Sequence, residues 1–261
     1  MLNNSEVIKL IDLVSDLGKE VEGIKKKDFN YELKSDGSPL SEADKFVNQE
    51  LGKWIMKTNY RNIISEENKQ VQYSDRKKWE YFWMVDPIDG TKEFVKKGDD
   101  YTINIALCKN SKPIFGLVSA PARNDIYHAS IGKGAFKNNK KLAPNVTQLE
   151  TINIVASKSH LNSETSNFIN KIQRDNKVNI VNVGSSLKIC YLAEGKADLY
   201  PRFGPTMEWD TCAAHVVLNE SGGKILSDAG IKLKYNKANL LNPYFTAFSK
   251  SYLEHEKNNK D

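Results

Sequence analysis

The segment Trp83-Met84-Val85-Asp86-Pro87-Ile88-Asp89-Gly90-Thr91 carries the strongest chemical signal in the chain. We expect an apolar strand that ends at Asp86 and a turn that is forced by Pro87, with Asp89 following close behind. Two carboxylates at the carboxyl end of a strand form a site of hard oxygen ligands, to which the Ile88 carbonyl can add. Such a site is suited to Mg²⁺.

The end of the same segment favours a turn into a helix. Gly90 permits a close approach of the backbone, and Thr91 can begin the helix that follows. An Asx-turn followed by an aspartate or threonine helix cap is the alternative interpretation, and it needs no metal. The motif alone leaves both interpretations open.

Two further acidic segments stand where one predicted element gives way to the next. Glu66 and Glu67 come directly after the apolar, strand-like residues 63–65, and Asp210 opens a strongly apolar helix. For either segment alone, helix capping or solvation is the simpler interpretation. Three acidic clusters at element boundaries, however, are what a phosphatase with two or three metal ions needs. Cations make several negative charges tolerable in one pocket.

The second half of the chain supplies hydroxyl and basic side chains. A strand, a glycine turn at Gly184 and a helix start are predicted, so backbone N–H groups can cradle an anion there. Ser185 and Lys188 add a hydroxyl and a positive charge, and Arg202 can hold a phosphate with two parallel hydrogen bonds. A serine-capped helix with a surface lysine, and a surface arginine beside a carboxylate, are the alternatives.

Composition narrows the class of protein. The 261 residues include 38 Lys plus Arg against 33 Asp plus Glu, a net charge of +5, and 39% are hydrophobic. These values favour one or two folded domains over disorder, and the short apolar runs exclude a membrane-spanning helix. No basic arm with interleaved aromatic residues indicates a nucleic-acid polymer as partner. The first residues lack the pattern of a secretory signal, and three widely spaced cysteines favour a reducing cytoplasm over a disulfide framework.

The apolar periodicity predicts helices and strands along the whole chain. The predicted helices are 7–17, closed by Gly18 or Gly23, 41–55, 163–174, 185–194 and 210–220; the predicted strands are 79–85, 101–108, 113–119, 125–131, 152–156, 178–183, 197–200, 224–226 and 244–248. The first half is rich in antiparallel strands and the second half alternates strands with helices, an α+β and α/β pattern. We therefore expect two αβ subdomains, 1–140 and 141–261, which form a single catalytic unit.

The acidic motifs together resemble the inositol monophosphatase superfamily of Mg²⁺-dependent, lithium-sensitive phosphatases. The residues that carry this resemblance are Asp86–Thr91 (DPIDGT) and Glu208–Asp210 (EWD). Further segments are similar to the bacterial CysQ-type branch, the 3'(2'),5'-bisphosphate nucleotidases: Gly184–Lys188 (GSSLK), Ala193–Asp198 (AEGKAD), Tyr200–Asp210 (YPRFGPTMEWD) and Leu241–Pro243 (LNP). The resemblance runs from about Ser38 to Phe248 and implies the layered αβαβα sandwich of the sugar phosphatases.

The resemblance also implies roles for individual residues. The implied metal ligands are Glu66, Asp86, the Ile88 carbonyl, Asp89 and Asp210, for two or three Mg²⁺ ions. Thr91, Asp44 and Glu66 are the implied catalytic residues, with Thr91 orienting the attacking water and Asp44 supporting it. Ser41 stands where many relatives carry threonine, which keeps the hydroxyl. The implied substrate-binding residues are Glu66, Ile88, Asp89, Gly90, Thr91, His160, Gly184, Ser185, Lys188, Arg202 and Asp210.

The activity that the resemblance implies is removal of the 3'-phosphate from adenosine 3',5'-bisphosphate, which gives AMP and phosphate. The sulfated form of that nucleotide is a further expected substrate, with a link to sulfate assimilation, in a cytoplasmic monomer or homodimer. The resemblance also makes peripheral attachment at the inner membrane an expectation. Inositol monophosphate is the alternative substrate, fructose bisphosphate is less favoured, and a non-catalytic nucleotide sensor is the alternative class. A haloacid-dehalogenase mechanism is disfavoured because two residues, not one, separate Asp86 from Asp89.

Overall fold

The computed structural model describes residues 2–27, 29–34, 37–144, 149–156 and 162–258. The α-helices in these ranges are α1 Asn4–Lys26, α2 Glu42–Ile55, α3 Tyr73–Arg76, α4 Thr91–Val95, α5 Ser163–Gln173, α6 Leu187–Glu194, α7 Glu208–Glu220 and α8 Lys250–Asn258. The strands are β1 Tyr31–Leu33, β2 Pro39–Ser41, β3 Ile63–Ser65, β4 Tyr81–Asp89, β5 Thr102–Lys109, β6 Lys112–Ala120, β7 Asp125–Ser130, β8 Gly134–Lys137, β9 Lys140–Lys141, β10 Ile152–Ala156, β11 Val178–Asn182, β12 Leu199–Arg202, β13 Lys224–Ser227 and β14 Phe245–Phe248.

Two large sheets and three helical layers stack in alternation. β3 to β9 form a seven-stranded sheet in sequence order, and a five-stranded sheet has the order β11-β10-β12-β14-β13. The helices α1 and α2 pack on the outer face of the first sheet, and α6 and α7 fill the space between the sheets. Against the outer face of the second sheet lie α5 and α8. The predicted αβαβα sandwich is confirmed.

The alternation of side chains along β4 explains why this strand lies at the centre of the fold. Phe82 and Met84 face the layer between the sheets, whereas Trp83 and Val85 face α1 and α2. All four side chains are buried because both faces of the sheet are covered. A continuous apolar run is therefore the natural composition for this strand.

The strand extends further than its sequence predicts. β4 continues to Asp89, and Pro87 lies inside it instead of ending it. The pairing with β5 shifts here, because Asp86 lies opposite Asn104 while Asp89 lies opposite Thr102. One extra residue on β4 makes this a bulge, which accommodates a proline without a ladder hydrogen bond.

The first helix was predicted to end at Gly18 or Gly23, and this prediction is wrong. α1 continues to Lys26. A glycine destabilises a helix by only about 1 kcal/mol. The burial of several apolar side chains on the same helix face contributes more than that. Gly18 is buried, and an added Cβ there would lie 3.4 Å from the Pro121 ring, which marks the close packing of the helix on this turn.

Most other predicted elements are confirmed with their ends shifted by one or two residues. α6 begins at Leu187 instead of Ser185, because Ser185 has a left-handed φ of +53° that a helix cannot contain. α7 begins at Glu208, earlier than predicted. The helices α3 and α8 and the short strands β1, β2, β8 and β9 were not predicted. No helix in the described ranges is both long and apolar enough to cross a membrane.

A histidine in α7 gives the fold a testable pH dependence. His215 is buried, its Nδ1 lies 2.7 Å from the Tyr235 hydroxyl, and burial lowers its pKa to about 4. The unfolded chain, with a histidine pKa of about 6.5, binds more protons between these values. We therefore expect this residue to stabilise the fold above about pH 6.5, with a loss of about 3 kcal/mol as the pH falls to about 4.

The measurement is urea unfolding of the wild type and His215→Asn from pH 4 to 7. Other groups titrate in this window, so the difference between the two proteins is the relevant quantity. A difference in unfolding free energy that does not change with pH would contradict the prediction.

Candidate active site

Parallel pairing of β3 with β4 brings the first two acidic segments together. Ser65 at the end of β3 lies opposite Val85, so Glu66 follows at the same sheet edge as Asp86. The Glu66 N–H donates to the Val85 carbonyl at 3.2 Å, which continues the pairing beyond the strand. The carboxyl ends of neighbouring parallel strands lie at the same edge of a sheet. Glu66 and Asp86 therefore both lie at this edge.

The third acidic segment reaches this edge from the layer between the sheets. Asp210 lies in the first turn of α7, where its Oδ2 accepts a hydrogen bond from the Met207 N–H at 2.9 Å. The pKa of Asp86 is raised well above its ordinary range by burial and by the carboxylates of Glu66, Asp89, Asp210 and Asp44. The fold thus concentrates negative charge around one buried aspartate.

Asp86 shows that the cluster suits a cation. Its side chain is 1% exposed, and its buried Oδ1 has no hydrogen-bond partner among the described residues. A buried charged oxygen without a partner is costly, and carboxylate and carbonyl oxygens are the preferred ligands of Mg²⁺. The donor set therefore fits this ion.

The carboxylates nevertheless do not form a finished coordination shell. Within the described part of the chain, no three acidic, histidine or cysteine side chains have that geometry already. In this structure Glu66 is paired with Lys34, while the N–H groups of Ser186 and Met207 each hold one oxygen of Asp89 and Asp210. The second oxygen of each aspartate is not used by these two hydrogen bonds.

The sequence analysis did not identify Lys34 as a site residue. Its Nζ lies 2.6 Å from Glu66 Oε1 and 2.6 Å from Glu67 Oε1. Burial lowers its pKa, but the hydrogen bonds to both glutamates outweigh this and raise it above the ordinary value. The lysine comes from the hairpin of β1 and β2, and only the fold places it against the acidic pair.

Thr91 and Asp44 are in contact, as the resemblance implied. Thr91 Oγ1 lies 3.2 Å from Asp44 Oδ1 and 2.9 Å from the Ile88 carbonyl oxygen. Asp44 is itself held by Ser41, whose N–H and hydroxyl donate to Oδ2 at 2.8 and 2.5 Å in the capping box of α2. Burial raises the pKa of Asp44 to about 6. A threonine hydroxyl is thus fixed beside a predicted ligand carbonyl.

The glycine turn before α6 differs from the open anion cradle expected from sequence. The Gly184 N–H donates to Asp100 Oδ2 at 3.0 Å, and the Ser186 N–H donates to Asp89 Oδ2 at 2.6 Å. Ser185 Oγ lies 2.8 Å from both the Asp89 and the Asp100 carbonyl oxygens. These donors therefore hold the turn against the acidic strand.

Gly90 is where the turn and the strand approach most closely. It has a left-handed φ of +92°, and an added Cβ would lie 2.5 Å from Ser185 Oγ and 2.9 Å from the Asp100 carbonyl oxygen. Only glycine fits both requirements. The predicted close approach at this residue is present, and its partner is Ser185.

Lys188 and Arg202 line a small cavity beside the acidic cluster. The cavity has a volume of about 80 Å³, and Asp89, Tyr200 and Asp210 also line it. Burial lowers the pKa of Lys188 to about 8, and its Nζ lies 5.7 Å from the centre of the Tyr200 ring. The Nε of Arg202 is buried and, among the described residues, has no partner. Two basic groups in a small polar cavity suit a phosphate group of a substrate.

A larger cavity of about 350 Å³ lies between α1 and the turn at Pro121, and none of the predicted site residues line it. We take the smaller cavity as the candidate site because buried charged side chains line it. His160, the remaining predicted substrate contact, lies outside the described residues.

Known proteins of similar sequence and structure belong to one family. The inositol monophosphatase family matches residues 3–257. A 3'(2'),5'-bisphosphate nucleotidase CysQ of Haemophilus influenzae is 34% identical over 252 residues, which cover 94% of this chain and 93% of that protein. The crystal structure of CysQ from Bacteroides thetaiotaomicron has a TM-score of 0.85 and 34% identity, covering 94% of this chain and 97% of that one.

A more distant structure, an IMPase/NADP phosphatase complexed with Mg²⁺ and phosphate, shares the fold. It has a TM-score of 0.79 and 21% identity, and covers 96% of this chain and 93% of that one. The family match spans almost the whole sequence, and the sandwich agrees with the solved structures. The chain belongs to the inositol monophosphatase family.

Proposed function

We propose that this protein is a Mg²⁺-dependent phosphomonoesterase that removes the 3'-phosphate from adenosine 3',5'-bisphosphate. The observation that carries the proposal is the unpartnered, buried Oδ1 of Asp86 in a carboxylate cluster beside the basic cavity of Lys188 and Arg202. A relative that is 34% identical over 94% of this chain is named as a 3'(2'),5'-bisphosphate nucleotidase, which supports the nucleotide as substrate.

The metal ligands in this proposal are Glu66, Asp86, Asp89, Asp210 and the Ile88 carbonyl. When bound, Mg²⁺ would supply positive charge that polarises the phosphoryl group and makes a nearby water a stronger nucleophile. A relative of the same fold is described with Mg²⁺ and phosphate, which supports a divalent ion. The Ser186 N–H holds Asp89 through a hydrogen bond of 2.6 Å and so limits the orientations of that carboxylate.

Thr91 and Asp44 orient the attacking water. The hydroxyl proton of Thr91 is directed to Asp44 Oδ1 or to the Ile88 carbonyl, at 3.2 and 2.9 Å. The Thr91 oxygen can then accept a hydrogen bond from the attacking water. This contact would direct a lone pair of the water towards the phosphorus atom. Asp44 is 1% exposed and its Oδ2 is held by Ser41, which limits its orientations.

In this proposal Lys188 and Arg202 bind the phosphate group of the substrate that is not removed. They therefore make a nucleotide bisphosphate a better substrate than a monophosphate. Lys188→Ala should raise the KM for adenosine 3',5'-bisphosphate about 10- to 100-fold and change kcat less, because a charge-assisted contact is worth about 1.5–3 kcal/mol. Steady-state kinetics measures both constants. The matched control is Lys196→Ala, which removes a lysine that pairs with Glu194 just after α6. An unchanged KM for the Lys188 variant would contradict this role.

The direct test of the function is phosphate release from four substrates in parallel. These are adenosine 3',5'-bisphosphate, its sulfated form, inositol 1-phosphate and fructose 1,6-bisphosphate, each with Mg²⁺, with EDTA and with added Li⁺. We expect the nucleotides to be preferred and both EDTA and Li⁺ to inhibit. A preference for inositol 1-phosphate would overturn the nucleotidase assignment, and binding without phosphate release would indicate a sensor. Activity on the sulfated nucleotide would connect the enzyme to sulfate assimilation.

Lys34 competes with the metal in this proposal, because its ammonium group lies where it neutralises Glu66 and Glu67. Lys34→Gln should therefore bind Mg²⁺ about 3- to 10-fold more tightly and, without metal, unfold at a lower temperature. Calorimetric titration and thermal unfolding measure these two effects. The control is Lys45→Gln, which removes an exposed ion pair with Glu32 of the same hairpin. Weaker Mg²⁺ binding in the Lys34 variant would show that the lysine assists the metal.

We also propose a cytoplasmic enzyme that works as a monomer or a homodimer, built from the subdomains 1–140 and 141–261. Cys108, Cys190 and Cys212 are all free thiols, which suits a reducing compartment. The proposed metal and water-orienting residues except Asp210 come from the first subdomain, and the basic residues come from the second. The catalytic unit therefore needs both.

A further inference from the structure

Glu208 is a buried carboxylate that the proposed chemistry does not use. It has no exposed surface and opens α7, close to Asp210. Its side chain accepts hydrogen bonds from the N–H groups of Asn236 and Lys237, the latter at 3.0 Å, and forms an ion pair with the Lys237 ammonium group. The first turn of α7 is thereby attached to the segment 236–238.

Arg76 holds the same segment through its guanidinium group. It ends α3, in the stretch that follows Glu66, and is 3% exposed. Its Nη1 donates to Asn236 Oδ1 at 2.6 Å and to the Lys237 carbonyl at 2.7 Å, and its Nη2 donates to the Ala238 carbonyl at 2.9 Å. These acceptors are all neutral oxygens, although a buried guanidinium usually lies against a carboxylate.

The segment 236–238 therefore lies between two buried charges of opposite sign. Lys237 donates its N–H to Glu208 and accepts from Arg76 with its carbonyl. Glu208 thus fixes the N–H side of the segment, whereas Arg76 fixes its carbonyl side. Removal of either side chain therefore frees one side of the segment.

Further contacts connect this arrangement to Asp210. The Glu208 N–H donates to the Leu240 carbonyl at 2.9 Å, and Asn242 Nδ2 donates to the Met207 carbonyl at 2.7 Å. Met207 is also the residue whose N–H holds the Asp210 carboxylate. Towards Glu66, Arg76 Nε donates to the Val71 carbonyl at 3.2 Å.

We propose that Arg76 and Glu208, acting through the segment 236–238, are positioning residues that hold Asp210 at a fixed place relative to Glu66. They thereby set the affinity of the acidic cluster for Mg²⁺. This inference rests on the proposed function, because it takes Glu66 and Asp210 as ligands of the ion. Glu66 and Asp210 come from opposite parts of the chain, and the segment 236–238 links the stretch that follows Glu66 to the first turn of α7, which holds Asp210.

The test uses Arg76→Met, Glu208→Gln and the double variant, with Mg²⁺ binding measured by calorimetric titration without substrate. Loss of a residue that orients a metal ligand typically weakens metal binding about 10- to 100-fold, and we expect about tenfold for each single variant. The double variant should lose little more than either single variant, since both break the same connection. kcat should fall at subsaturating Mg²⁺, whereas the KM for adenosine 3',5'-bisphosphate should stay within about twofold because Lys188 and Arg202 are untouched.

The control is Asp198→Asn, which changes another buried carboxylate, one that accepts from the Asn153 N–H at 2.8 Å. It should lower the unfolding temperature and leave Mg²⁺ affinity unchanged, and this separates positioning from general stability. Arg76→Lys keeps the charge and is the second variant if Arg76→Met does not fold; it should recover part of the lost affinity.

The possible outcomes are distinct. A wild type that binds no Mg²⁺ would overturn the proposed function itself. A wild type that binds Mg²⁺, together with folded variants that bind it equally well, would overturn only the positioning role. Fully additive losses in the double variant would overturn the connection between Arg76 and Glu208.

Discussion

Asp86→Asn should abolish phosphate release and at the same time make the metal-free protein more stable. The carboxylate is buried, its Oδ1 lacks a hydrogen-bond partner in the described structure, and Glu66, Asp89 and Asp210 add negative charge around it. An asparagine of the same shape removes the repulsion and can donate to the neighbouring carboxylates, which should add about 1–3 kcal/mol to the unfolding free energy. It also removes a charged metal ligand, which should lower activity about a thousandfold or more.

Urea unfolding in EDTA and phosphate release in Mg²⁺ measure the two effects. The gain in stability should shrink in acid, because the raised pKa of Asp86 means that the wild-type carboxyl is then already neutral. Asp16→Asn is the control, since Asp16 is an exposed aspartate of α1 and its replacement should change stability by less than about 0.5 kcal/mol. A variant that is both active and less stable than the wild type would contradict the proposed role of the cluster.

Thr91→Ala should lower kcat by about 10²- to 10³-fold while Mg²⁺ affinity and the KM for the nucleotide stay near the wild-type values. The hydroxyl lies between Asp44 and the Ile88 carbonyl and is proposed to orient the attacking water. Correct placement of a proton acceptor or donor in the transition state typically contributes 10²- to 10⁴-fold. The residue opens α4, where alanine is also a good helix former, so the fold should persist.

Stopped-time phosphate assays give kcat and KM, and calorimetric titration gives the Mg²⁺ affinity. Thr91→Ser restores the hydroxyl and should recover most of the rate. An equal fall in Mg²⁺ affinity would mean that Thr91 supports the metal ligands instead of the water, and a kcat within threefold of the wild type would remove it from the mechanism.

The segments proposed to be catalytic stand out in the sequence because their signals are local. Asp86 and Asp89 flank a proline at the end of an apolar strand, and Asp210 opens an apolar helix; both patterns are complete within a few residues. The Ser41–Asp44 capping box is equally local, since the two residues lie in one helical turn. Short-range spacing of this kind predicts which residue types stand at an element boundary, and the boundary places them at a sheet edge.

Only the tertiary structure decided which groups these residues contact. Lys34 lies against Glu66 and Glu67 because the hairpin of β1 and β2 brings it next to the turn that follows β3. Arg76 lies against the segment 236–238 because two distant parts of the chain pack together. The bulge in β4 likewise depends on its register with β5. The sequence by itself determined the layered fold, the acidic motifs and the basic second half. The partners of each charge were decided by burial, because a charge inside the protein must be paired with whatever group the packing of remote elements brings within hydrogen-bond distance.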